Sequence, residues 1–477
     1  MTPKGRKGRQ KMAEKNFFSS RLTAAEMRKA LADEQARADA ELAKAGKLSA
    51  ASRMAALFDE GTFVEVGAYV GRKTTELDSG NDDAFEPVVT GYGAIDGTLV
   101  FAFSQDFARL SGALGEMHAK KIAKIYEMAI VAESPIIGIF DSAGAKVLEG
   151  ADALAGYGSV MACAANAEIP QIAVVAGPCT GHAAVIAQMF DFVIAAGSTG
   201  KMYMSAAGEK LGTAEELAKN GTAALVAEND ADALAKARKL IPYFTGEIAT
   251  GDTPNRLVSV NVDGAYDVRD VIANVFDAGS FTELYAEHAK SMVCGLATMN
   301  GHVVAVVANN PAEKDGRLCG CAANKAAEFI EKCDAQDIPL VTLVDSCGVP
   351  ASEEAEAKCI SKKIANLAKT YALSYIPKVT VTLGRSYGAA YTAMGAKALG
   401  ADVCLALESA KIAAMEPSSA VTFLGLVDDE SKHEKIAAEW AEKCATPVAA
   451  AKSGHIDDII SSDELRQRIA AALEMLL

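Results

Sequence analysis

Short apolar runs alternate with stretches of helical periodicity along most of the chain. Ile136 to Phe140, Ile172 to Ala176, Leu340 to Val344 and Val379 to Leu383 have strand length and little charge, and read as buried strands. Lys120 to Glu133 and Asn324 to Asp334 carry the spacing of amphipathic helices, each just ahead of a strand. Thr23 to Lys44 is predicted to form a charged, alanine-rich helix. Strand–helix alternation of this kind predicts α/β layers. No uninterrupted apolar run reaches the roughly 18 residues that a membrane span needs.

The pattern occurs twice. Pro87 to Gly97 leads into the apolar stretch Thr98 to Phe103, and Met292 to Gly301 leads into His302 to Ala308. Gly91 and Gly295 are 204 residues apart, as are Gly97 and Gly301, and as are Asp141 and Asp345. Ile169 to Gly177 faces Ile376 to Gly384 at an offset of 207, so a loop-sized insertion separates the copies. A period this long is not a solenoid unit and reads as duplication of a whole domain. Residues 228–258, with Pro242 and the turn-forming Gly251 to Pro254, are expected to bridge the copies. The expected division is a basic tail over 1–20, a first domain over 21–245 and a second over 246–477.

Composition narrows the partners. The 477 residues carry a net charge of −15, which argues against nucleic acid or an anionic membrane as the main partner. It does not exclude an anionic ligand in a local pocket. The ten cysteines include no CxxC pair and no zinc-ligand spacing, so free thiols, a cytoplasmic setting and no structural metal are expected. The basic start, Met1 to Lys7, is followed by no apolar segment and reads as a solvated tail rather than a secretion signal.

Chemistry concentrates at four strand-to-helix junctions, two per copy. They are Asp141 to Ala145, Gly177 to Ala184, Asp345 to Val349 and Gly384 to Ala390. Small residues at such a turn leave backbone N–H groups accessible, and the helix dipole adds positive potential. Two donors from neighbouring junctions can converge on one oxygen and stabilise an enolate. Neither copy offers a Ser/His/Asp or Cys/His set. His182 is the one histidine inside a glycine-rich junction; its imidazole is a candidate general base, but its backbone N–H is the favoured donor. Asp141 and Asp345 are expected to cap the following helix rather than act as acid or base.

The chain resembles the carboxyltransferase subunits of biotin-dependent acyl-CoA carboxylases and decarboxylases, within the crotonase-like superfamily. The likeness runs from about Leu48 to the end. It is carried by Asp59 to Glu65, Val88 to Gly97, Ser104 to Phe107, Glu149-Gly150 with Leu154 to Gly158, Gly177 to Gly181, Tyr266 to Arg269, Lys325 with Phe329, Ile376 to Val381, Tyr387 to Tyr391 and Gly454 to Ile459, in this order and spacing. The resemblance implies two tandem crotonase-like (ββα superhelix) domains, with acyl-CoA on the first and biotin on the second. It implies an active site between the first domain of one chain and the second of another, in a homohexamer built as a trimer of dimers. Gly181 and His182 would form one oxyanion site, and Gly388, Ala389 and Ala390 the other. Ser142, Ala143, Gly144, Ala145, Lys146, Gly348, Tyr391 and Thr392 would line the substrates. Carboxyl transfer would pass through enolates of biotin and of the thioester, each held by backbone donors.

No Ala-Met-Lys-Met biotinylation hairpin is present, so biotin is expected on a separate biotin carboxyl carrier protein. Biotin carboxylase or a membrane decarboxylase subunit is a further expected partner. The sequence departs from the family pattern at Ala143, Lys146, Cys347 to Pro350, Glu416 and Thr392, which bears on the acyl group more than on the reaction class. The propionyl/methylmalonyl pair is the leading substrate. Two other readings are a biotin-independent crotonase-like decarboxylase or hydratase, and a non-catalytic assembly subunit that binds the carrier.

Overall fold

The computed structural model describes residues 23–75, 85–205, 211–246, 248–253, 255–427 and 429–477. The expected tail over 1–20 lies outside the described residues. Each copy forms one eight-stranded sheet, and the two sheets match strand for strand. In the first, Val64–Glu65, Val88–Ile95 and Thr98–Gln105 run antiparallel. Ile136–Ser142, Gln171–Thr180, Phe192–Ala196 and Leu225–Ala227 then add in parallel. In the second, Thr282–Leu284, Met292–Met299 and His302–Asn309 are antiparallel, followed by parallel Leu340–Ser346, Lys378–Tyr387, Val403–Leu407 and Asp458–Ile460. The fully apolar strands occupy the parallel part, where helices cover both faces.

The duplication extends to irregularities. Both sheets shift register after the fifth residue of the central strand, between Phe140 and Ser142 and between Val344 and Ser346. Past the shift, Gln171–Thr180 continues by pairing with the short strand Lys201–Tyr203, and Lys378–Tyr387 with Lys411–Ala413. The strands therefore run beyond Phe140 and Ala176, and the residues read as loops at Asp141 and Gly177 belong to the sheet.

The predicted helices form over Ala24–Ala43, Glu116–Val131 and Gly320–Asp334. Thr23 and Glu26 close a reciprocal capping box on the first. The expected bridge over 228–258 is corrected at its start. Asn229 caps the helix Asp230–Leu240, whose Ala233, Leu234, Ala237 and Leu240 are buried in the core. Nor are the halves separately packed. One continuous apolar cluster joins Ile137, Ile172 and Phe192 to Met292, Leu340 and Tyr371. Among the described residues, no helix is long and apolar enough to cross a membrane.

Buried charge fixes the first half. Arg53 is fully buried; its guanidinium lies 2.9 Å from Asp141 and 2.8 Å from Asp230, and Lys47 reaches Asp141 at 2.7 Å. Asp141 thus ties the strand end to the N-terminal helices instead of capping the helix after it. Replacing Arg53 by Met would strand two buried carboxylates beside Lys47, and removing one partner of a buried pair costs about 3–5 kcal/mol. Arg238→Met, which breaks partly exposed pairs to Asp59 and Asp96, is expected to cost no more than about 1 kcal/mol. Urea unfolding midpoints of the two variants test the contrast; equal midpoints would show that the buried triad does not hold the strand end.

Candidate active site

The first-half junctions meet at one cavity of about 460 Å³, lined by Ala143, Gly144, Ala145, Gly181 and His182 together with Phe107, Pro178, Tyr203, Met204 and Ser205. At the first junction, Ala143 N–H donates to Ser111 O at 2.9 Å and Gly144 N–H to Ser142 Oγ at 3.1 Å. Gly144 O accepts from Leu114 N–H at 3.0 Å, and Thr180 Oγ1 donates to Ala143 O at 3.0 Å. Among the described residues the N–H of Ala145 has no partner.

At the second junction Gly181 adopts φ 58°, ψ −123°, a backbone region essentially restricted to glycine. Its N–H is taken by Tyr203 O at 3.0 Å. The next residue, His182, is the first of the helix His182–Met189, so its N–H has no carbonyl one turn behind it and is unpaired among the described residues. The imidazole is exposed and lies against the Tyr157 ring, with centroids 5.2 Å apart. Among the described residues no carboxylate is bonded to it. The geometry thus presents two backbone donors, Ala145 and His182, at one cavity.

The second half repeats the arrangement. Gly348 donates to Ser346 Oγ at 3.2 Å and accepts from Leu318 N–H at 2.9 Å. Gly388 adopts φ 54°, ψ −125° and donates to Ala413 O at 3.0 Å. Ala389 starts the helix Ala389–Ala393, and its N–H, like that of Val349, is unpaired among the described residues.

Other sequence-predicted residues lie elsewhere. Ser142 is fully buried and shapes the turn through Gly144. The buried Lys146 ammonium lies 2.9 Å from Glu149 and donates to Lys73 O, so it does not line the cavity. Ala390 is fully buried, and Tyr391 lines a small internal void of about 10 Å³ beside Met394 and Cys404. Thr392 is exposed and donates to Ala389 O at 3.3 Å. Sequence reasoning missed the strap Tyr203 to Ser205. Its signal was the recurrence of the short strand 201–203 at 411–413, an offset of 210.

Comparison with known proteins places the chain in a family. Residues 41–477 match the family model "Carboxyl transferase domain". The chain belongs to the carboxyl transferase family. It is accordingly an enzyme, the carboxyltransferase component of an acyl-CoA carboxylase or decarboxylase. It is 36% identical over 468 residues to the methylmalonyl-CoA decarboxylase subunit alpha of Propionigenium modestum, covering 90% of each chain. It is 38% identical over 470 residues to the methylmalonyl-CoA carboxyltransferase 12S subunit of Propionibacterium freudenreichii subsp. shermanii, covering 90% of this chain and 88% of that one. The solved transcarboxylase 12S, with methylmalonyl-coenzyme A and methylmalonic acid bound, superposes with a TM-score of 0.88 at 33% identity, covering 96% of this chain and 97% of that one.

His182 and the buried Glu86 each give a test. Proline is tolerated at the first position of a helix but has no N–H. His182→Pro is therefore expected to fold and to lose roughly 10²–10³ in turnover, whereas His182→Ala keeps the donor and stays within about threefold of the parent. Equal losses in steady-state assays would assign the work to the imidazole instead. The second concerns Glu86, which is buried. Desolvation pushes it from 4.5 up to about 7, with Lys146 opposing and Glu149 adding to the shift. A carboxyl raised on folding contributes stability that is full below its unfolded value and is lost as pH rises through the folded one. Glu86→Gln should therefore gain on the parent in melting temperature as pH rises from about 5 to 8; a gap that narrows over that interval would contradict the assignment.

Proposed function

We propose that this chain moves a carboxyl group between carrier-bound biotin and the α-carbon of a short acyl-CoA, with propionyl- and methylmalonyl-CoA as the preferred pair. The observation that carries the reading is the meeting of two unpaired backbone donors, Ala145 and His182, at one cavity. The names of the methylmalonyl-CoA relatives support the acyl group. The two sheets are read as crotonase-like domains over 21–245 and 246–477, acyl-CoA on the first and biotin on the second.

In this reading the Ala145 and His182 N–H groups hold the thioester oxygen as negative charge develops on it, and loss of one such donor costs about 3 kcal/mol. Gly181 aims the His182 N–H. Thr180 and Ser142 fix the turn that presents Ala145. In the second half, the unpaired N–H groups of Val349 and Ala389 are neutral, preorganised donors, a set that fits an uncharged ureido oxygen. Biotin, when bound, supplies the carboxyl group and a ring nitrogen that exchanges a proton with the acyl α-carbon. Few side chains need to titrate, in keeping with the absence of a triad in either copy.

The active unit is read as a homo-oligomer, a hexamer by analogy with the family. An apolar groove of about 1090 Å³ beside the first-half site is lined by Val185, Met189, Met202, Leu211 and Leu217. A ridge in the second half exposes Phe423, Leu424 and Leu426. Exposed apolar faces rimmed by polar residues mark interaction sites, and a head-to-tail pair is read as covering both. Ten free cysteines suit a reducing, cytoplasmic compartment.

Isotope exchange tests the reading. Purified protein is given methylmalonyl-CoA labelled in its free carboxyl group, with and without free biotin. Biotin-dependent loss of label, abolished in His182→Pro, is the expected result. Loss that ignores biotin would point to a plain decarboxylase, and measurable CoA binding without loss under any acyl donor would point to a carrier-binding assembly subunit.

A further inference from the structure

The second-half junction holds a charged group that the first half lacks. Arg317 stands where Ala113 stands 204 residues earlier. Its Nη1 donates to the carbonyls of Cys347 at 3.2 Å and Val349 at 3.4 Å, on either side of Gly348. Its Nη2 lies 3.6 Å from Glu416 Oε2, beyond hydrogen-bond range, and the two side chains are 30% and 42% exposed. Glu416 precedes the helix Pro417–Phe423 and follows Ala414, whose carbonyl lies 3.1 Å from where a Cβ on Gly388 would sit. Arg317 therefore stands between the turn that carries Gly348 and the segment that bounds Gly388.

The neighbouring guanidinium is differently placed. Asp345 accepts from Arg385 Nε at 2.8 Å and from its backbone N–H at 3.0 Å, and Asp315 lies 3.5 Å from Arg385 Nη1. Arg385 is thus neutralised from two sides. Arg317 is anchored along one edge by neutral carbonyls, and its other edge meets a single loosely placed carboxylate. A guanidinium offers a planar fork that matches a carboxylate with two parallel hydrogen bonds. Such an anchored fork with a displaceable partner is suited to exchange one carboxylate for another.

We infer that Arg317 receives the carboxylate presented on carrier-bound biotin at the second-half junction, and that Glu416 is the internal carboxylate it gives up on binding. The inference rests on the reading of the second half as the biotin side. It differs from a structural clasp in a testable way. Breaking a structural ion pair from either end has one effect, whereas removing a receptor and removing its competitor have opposite effects.

The assay follows carboxyl transfer from N-carboxybiotin methyl ester to propionyl-CoA, with KM determined for each. For Arg317→Ala the donor KM is expected to rise roughly tenfold, the scale of one charge-assisted contact, while the propionyl-CoA KM holds. Arg317→Lys, which keeps the charge without the fork, falls between. Glu416→Gln is expected to lower the donor KM by about twofold to fivefold as competition is removed. Glu416 is partly exposed, so this variant keeps the test open if Arg317→Ala does not fold. Donor KM values that move in the same direction for Arg317→Lys and Glu416→Gln overturn the inference and leave a clasp. A shift confined to the propionyl-CoA KM overturns it as well. Parent protein that transfers nothing from this donor overturns the biotin-side reading and this inference together.

Discussion

The site depends on a carboxylate lodged against a glycine. Asp141 Oδ1 lies 1.8 Å from where a Cβ on Gly177 would be, and Asp345 Oδ2 lies 2.2 Å from the same point on Gly384. Each carboxylate sits at the register shift of its central strand and fills the space that a side chain on the next strand would take. The two strands can therefore run side by side into their turns, and the turns carry the unpaired donors. Such a carboxylate is expensive to bury unless paired. The first half pairs it with Arg53 from the helix Ala50–Leu57 and Lys47 from the turn before it, and the second with Arg385 from the adjacent strand. The backbone constraint was kept while its counter-charge was supplied from different parts of the chain.

That difference shows how duplicated frameworks diverge. The first half puts Pro178 where the second has Arg385, and its cation arrives from a helix about 90 residues earlier. Its cavity stays lined by small, apolar and aromatic groups, with Ala143, Ala145, Phe107 and Met204 among them. The second half keeps its counter-charge local, and four charged side chains, Asp315, Arg317, Arg385 and Glu416, surround the Cys347 thiol, whose ionisation burial opposes. A first cavity lined by small, apolar and aromatic groups and a second junction ringed by charged ones suit ligands of different polarity.

Much of this was legible in the sequence. The offsets of 204 and 207 exposed the duplication, and the apolar runs located the central strands. The junctions at Gly181 and Gly388 were legible because their φ and ψ admit little but glycine. What stayed hidden depends on distant pairing. Asp141 looks like a helix cap until Arg53, 88 positions away, is seen beside it. Asp230 looks like a linker residue until it is found 177 positions from its partner on the same guanidinium. Lys146 sits inside a binding motif, yet its burial is decided by Glu149 and by the Lys73 carbonyl. Local pattern fixes strand, helix and turn; it does not say which charges neutralise one another.

A site built from backbone donors also explains why the sequence can depart from its relatives and keep their reaction class. Replacing a hydrogen by a side chain at His182 or Ala389 leaves the N–H in place, provided the preceding glycine keeps its conformation. In the proposed reading, Gly181, Gly388, the register shifts and the buried carboxylates hold the donors in place, and the side chains at His182 and Ala389 do not enter into the donation. Variation at those positions changes what borders the two junctions: an imidazole tilted against Tyr157 at one, a methyl group at the other. In that reading acyl-group preference can change at the residues that supply the donors, because a backbone N–H, and not a side chain, does the electrostatic work.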